Sequence, residues 1–134
     1  MTAMTGWKSQ IGIAASALFL AAMLTACSAP FIGGGDCSPK GGSTGTASQV
    51  LKVVSDSKTV GAYKPKTITI TSGQSIEWAW EDTGNPHSVT AENGSFDSCL
   101  QKAGYTFVVS FATPGTYAYK CSIHPDMKGT VNVT

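Results

Sequence analysis

The sequence predicts an all-β domain, a Greek-key β-sandwich or flattened barrel of about eight short strands. Three observations point there. From Gln49 onward, apolar residues recur at a period of two through short runs. The pairs Ser72-Gly73, Asn93-Gly94 and Pro114-Gly115 punctuate those runs with turn residues. No stretch of that region keeps a helical period beyond a turn or two.

The chain of 134 residues has room for one domain and a targeting segment. Its amino terminus reads as an export signal. Lys8 precedes an apolar run from Ile11 to Leu24, too short and alanine-rich for a comfortable membrane span. The run ends in Leu24-Thr25-Ala26-Cys27, which resembles the lipobox of bacterial and archaeal lipoproteins. That resemblance implies a signal peptide over 1–26, cleavage before Cys27 and a lipid on its sulfur. An ordinary secretory cleavage nearby is the other reading. Either way the product leaves the cytoplasm, and the lipid would anchor it to the outer face of a prokaryotic membrane.

Residues 27–48 are rich in Gly, Ser, Thr and Pro and offer little apolar surface to bury. They read as a flexible linker with an r.m.s. span of roughly 25 Å. The folded unit is then 49–134. In it, Ile68 and Ile70 alternate with threonines, and Ile76, Trp78 and Trp80 share one face of the next strand. Phe107, Val109 and Phe111 share a face of another, with Thr106, Val108 and Ser110 opposite. Tyr117, Tyr119 and Cys121 line a later strand, and Val131 and Val133 close the chain. The tryptophans read as core anchors.

Charge excludes one class of partner. All nine basic residues are lysines, and loss of Lys8 with the signal leaves eight lysines against eight acids. A neutral chain without arginine lacks the basic footprint that nucleic acid requires.

The chemistry concentrates near the carboxy terminus, in Tyr119-Lys120-Cys121-Ser122-Ile123-His124-Pro125-Asp126-Met127. A thiolate, an imidazole and a thioether fall on the turn leaving one strand. His87 comes from an earlier loop, Gly84-Asn85-Pro86-His87. The chain has two histidines, both in these positions, and Met127 is the one methionine beyond the signal. Two imidazoles and a thiolate with a weak axial thioether suit copper in either oxidation state. Zinc normally takes four strong donors and has no use for the methionine. His87, Cys121, His124 and Met127 are therefore the expected ligands of one mononuclear copper ion.

These residues carry a family resemblance. The stretch from about Tyr63 to Thr134 resembles the plastocyanin-type cupredoxins, the type 1 blue copper proteins. The matching pieces are Trp78, His87-Ser88-Val89, Phe96-Asp97-Ser98, Pro114-Gly115-Thr116-Tyr117 and the Cys121–Met127 turn closed by Gly129. The short spacing from His124 to Met127 is more similar to amicyanins than to plant plastocyanins. The Trp78-Ala79-Trp80 strand and the lipid signal are similar to those of halocyanins. The resemblance implies ligation through the Nδ1 atoms of His87 and His124, with Met127 axial. Two positions depart from the family pattern. Ser88 stands where many members carry asparagine, so a tie from Ser88 toward Ser122 is expected to be softer. Lys120 replaces an aromatic residue before the cysteine, so no second electron route is expected there.

The implied function is single-electron transfer through a copper site cycling between Cu(I) and Cu(II), by a protein that is not an enzyme. A monomer is expected, with redox proteins docking transiently at the His124 end and the lipid keeping the chain at the membrane. The alternative is an extracytoplasmic copper-binding or delivery protein, but the chain has no spare methionines or histidines for that. An enzyme would need further histidines around a second copper. With Cys27 lipidated and Cys121 on copper, Cys37 and Cys99 remain. In an oxidising compartment they are expected to pair as a disulfide.

Overall fold

The computed structural model describes residues 36–134. The expected lipidation site, Cys27, and the whole expected signal peptide lie outside them. Contacts divide the chain into Met1–Pro30 and Phe31–Thr134, and the described residues belong to the second unit. Among them there is no helix, and so none long and apolar enough to cross a membrane.

Eight strands form two sheets. They are β1 Gln49–Asp56, β2 Val60–Lys64, β3 Thr67–Ile70, β4 Ser75–Trp80, β5 Thr90–Ala91, β6 Thr106–Ser110, β7 Gly115–Lys120 and β8 Lys128–Val133. One sheet has the order β2-β1-β4-β6, the other β3-β8-β7-β5. β1 runs parallel to β4, and β3 runs parallel to β8. The remaining neighbours are antiparallel.

The alternation sets which side chains face inward. In β4, Ile76, Trp78 and Trp80 are buried while Ser75, Glu77 and Ala79 are partly exposed. Trp78 is the centre of the core. Its ring packs against Phe96, Phe107 and Tyr119 at centroid distances of 5.7, 6.5 and 5.3 Å. Burying a large aromatic contributes on the order of 2–3 kcal/mol, so this cluster is a main source of cohesion between the sheets. β1, not singled out in the sequence, joins the core through Leu51 and Val53.

The linker expected over 27–48 differs from the structure in its described part. Lys40 and Asp97 exchange backbone hydrogen bonds of 2.9 and 3.0 Å, and Ser43 N–H donates to the Val108 carbonyl. Ser48 N–H donates to the Ser75 carbonyl. The segment 40–48 is thus held at three points, at Asp97, at Val108 on the free edge of β6 and at Ser75 where β4 begins, and Ser43 uses a backbone group of β6 that would otherwise be unpaired. Gly41, at φ +71°, is pressed against Ser95 and Phe96, where a Cβ would collide with backbone. Cys37 and Cys99 form the disulfide, with their Cα atoms 5.9 Å apart. Glycine and serine composition signals a segment unable to build its own core. Here the segment is held by a neighbour's strand edge and a covalent bond instead.

Candidate metal centre

Two chain segments converge at one end of the sandwich. β4 leads into the loop Glu81–Pro86, which delivers His87. β7 leads into Cys121, and the turn Cys121–Met127 returns into β8. That turn is closed by two backbone bonds, Cys121 N–H to the Met127 carbonyl and Met127 N–H to the His124 carbonyl, each 3.0 Å.

His87 Nδ1 lies 3.1 Å from His124 Nδ1, and Cys121 Sγ lies 3.5 Å from His124 Nδ1. The donor atoms of His87, Cys121 and His124 all lie within 4.8 Å of one another. Donors bonded ~2.0–2.3 Å from a shared ion must sit roughly 3–4.5 Å apart, so this spacing fits a metal. Met127, also expected as a ligand, is buried at the closed end of the same turn. Cys121 is the free cysteine among the described residues, and it is buried. The donor set is two nitrogens and one sulfur beside a thioether residue, and it fits copper.

The two histidines are held very differently. His87 is fully buried. Its backbone exchanges hydrogen bonds of 3.0 and 2.9 Å with Gln101, and its carbonyl also accepts the Trp80 indole N–H at 2.8 Å. Its ring lies against Gly61 on the β1–β2 hairpin, where a Cβ would collide with it. His124 is partly exposed. Its imidazole is held below the usual histidine range, first by burial and then by the neighbouring His87.

The loops are tied through Ser88. Its hydroxyl accepts the Ser122 N–H at 2.8 Å and lies 3.1 Å from the Ser122 hydroxyl. It also lies 2.9 Å from the Thr90 hydroxyl, which donates to Asp97 at 3.1 Å. Ser88 N–H donates to Cys121 Sγ at 3.4 Å.

Asp82, Trp80 and Gly61 act on this site but carry no ligand signature. Asp82 is buried, and its Oδ2 lies 2.7 Å from His87 Nε2. Its Oδ1 accepts the N–H groups of Gly84 and Asn85 at 2.7 and 3.2 Å. The hydrogen bond from His87 holds the Asp82 carboxyl below the usual carboxylate range, against the opposing effect of burial. The signal in the sequence was the run Asp82-Thr83-Gly84-Asn85, an aspartate followed by turn residues.

Comparison with known proteins agrees with the geometry. The family model described as copper binding proteins, plastocyanin/azurin family, matches residues 49–134. A chloroplastic plastocyanin of Physcomitrium patens is 30% identical over 97 residues, covering 63% of this chain and 56% of that protein. Amicyanin-alpha of Methylorubrum extorquens is 30% identical over 76 residues, covering 53% of this chain and 63% of that protein. The chain thus spans less than two thirds of these two relatives. Among solved structures, a purple cupredoxin from Nitrosopumilus maritimus superimposes with a TM-score of 0.56 at 27% identity. That match covers 64% of this chain and 99% of the other. The sandwich, the converging donors and the family match carry one conclusion: the chain belongs to the plastocyanin/azurin family of copper-binding proteins.

Proposed function

We propose that this protein is a single-electron carrier whose copper would be held by His87 Nδ1, Cys121 Sγ and His124 Nδ1, with the thioether of Met127 as a fourth, weaker donor. The observation that carries the reading is the convergence of three soft or borderline donors, within 4.8 Å of one another, at one end of a packed sandwich. Copper in such a set supplies a one-electron couple between Cu(II) and Cu(I). The residues around it oppose rearrangement. His87 is fixed on both faces of its peptide, and the cysteine turn is closed by its own backbone bonds. A site that keeps its shape in both oxidation states loses little free energy to reorganisation on each transfer.

His124 is the ligand with access to solvent, and it is flanked by Ile123, whose side chain is exposed. This end is the proposed contact for a redox partner, through a small and short-lived interface. Export, a lipid on Cys27 and action as a monomer beside membrane-bound partners complete the proposal. They rest on the sequence alone.

The test is spectroscopic. Copper-loaded, oxidised protein is expected to show an intense visible thiolate-to-copper band, and Cys121→Ser to lose it while remaining folded. A loaded wild type without that band would overturn the ligand assignment.

A further inference from the structure

Asp82 is a buried carboxylate with no lysine beside it among the described residues; the group that faces its second oxygen is the imidazole of His87. Burying an acid without a partner is costly, so its bonds identify what it does. One oxygen is used by the turn, accepting the N–H groups of Gly84 and Asn85. A turn of that kind needs only one acceptor, and asparagine would serve it equally well. The second oxygen is directed away from the turn at His87 Nε2, 2.7 Å away. The side chains of His87 and Asp82 are 0% and 3% exposed, so water screens this contact little.

A carboxylate accepts hydrogen bonds and cannot donate one. Nε2 must therefore carry a hydrogen, and in the neutral ring that leaves the lone pair on Nδ1. Nδ1 is the atom that faces Cys121 and His124. The backbone bonds to Gln101 fix the peptide that carries the ring, and Gly61 lies close against the ring itself.

We infer that Asp82 is a positioning residue that fixes the tautomer of His87 and, through its buried charge, lowers the reduction potential of the copper site. This inference rests on the ligand set proposed above. The sign follows from charge. A fixed negative charge behind the imidazole stabilises the doubly charged oxidised ion more than the singly charged reduced ion. Electron density pushed into the ring by the acceptor acts in the same direction.

Asp82→Asn removes the charge at nearly constant volume and leaves a single acceptor oxygen. If that oxygen keeps the turn, the amide NH2 faces His87, Nε2 must accept, and the hydrogen moves to Nδ1. If the amide reverses, both turn N–H groups lose their acceptor.

The first measurement uses copper-free wild type, so it does not depend on the variant's folding. For the neutral ring, the nitrogen-15 shifts of His87 are expected to show hydrogen on Nε2 and a bare Nδ1. Hydrogen on Nδ1 there would overturn the inference. The second compares copper-loaded wild type and Asp82→Asn. The variant's midpoint potential is expected to rise, and its Cu(II) affinity to fall by roughly 10- to 100-fold, more than its Cu(I) affinity. Equal potentials and equal affinities, with the thiolate band present in both, would overturn the role of Asp82 and leave the ligand set standing. Absence of the band in wild type would overturn both.

Discussion

The two halves of the metal centre are built on opposite principles. His87 is enclosed, with partners for its N–H, its carbonyl and its Nε2, and a glycine against its ring. His124 sits on a short turn and is partly exposed, and its Nδ1 lies beside the other donors, His87 and Cys121. One side is tuned by the fold and inaccessible. The other is accessible and sparsely supported. An electron carrier needs both, because a rigid ligand keeps the reorganisation small and an exposed ligand lets a partner come close.

The contrast is broken most completely by deleting each imidazole in turn. His124→Gly leaves a gap open to solvent, and excess imidazole is expected to restore the thiolate band. His87→Gly leaves a buried gap beside Asp82 and Gly61, and imidazole is expected to restore nothing. Equal rescue of the two variants, read by visible titration, would mean that the burial of His87 has no functional weight.

Gly61→Ala tests the support of the enclosed side. The added methyl collides with the His87 ring, and overpacking of this kind costs about 1–3 kcal/mol. The expected result is a lower urea midpoint in the copper-free protein together with a shifted band in the loaded one. An unperturbed band would show that the ring can move. Trp80→Phe removes one donor to the His87 carbonyl while Gln101 still supplies another. The loss is expected to be about 1 kcal/mol, measured by chemical denaturation.

The smallest effect concerns the turn that precedes Gly61. Asp56 Oδ1 accepts the Lys58 and Thr59 N–H groups and the Thr59 hydroxyl. Those bonds hold its carboxyl below the usual range, so its contribution is present above the unfolded value near ~3.9 and disappears as pH falls through the lower folded value. Asp56→Ala is expected to be less stable than wild type at neutral pH, with the gap closing in acid. A gap independent of pH would assign the effect to something other than the carboxylate.

The ligands were legible because they belong to scarce residue types at a constrained spacing. The strands around Trp78, Phe107, Tyr119 and Val131 were legible because one face of each is buried and one is not. The supports were not. Gly61 matters only because the β1–β2 hairpin brings it against a ring from another loop, and a glycine announces no such contact in advance. Asp82 reads as a turn residue, and its second role exists only once His87 folds back onto it. β1 was blurred by Val50, an exposed valine beside buried Leu51. The ordering of residues 40–48 was hidden for a related reason, since composition reports what a segment can bury and not what edge it can borrow.

The Cys37–Cys99 disulfide changes where the proposed lipid tether would act. β1 begins at Gln49 opposite Ile76 and reaches Val53 opposite Trp80, so Gln49 lies at the end of the sandwich away from the metal. A leash attached there would let the metal end swing outward. The covalent attachment is instead at Cys99, two residues from Gln101, whose backbone is bonded to His87. Tension from the proposed lipid on Cys27 would enter at the metal-bearing end and orient that end toward the bilayer plane. Reducing the disulfide is then expected to slow exchange with a membrane-embedded acceptor while sparing exchange with a small soluble oxidant. Equal rates with the embedded acceptor before and after reduction would show that the point of attachment sets no orientation.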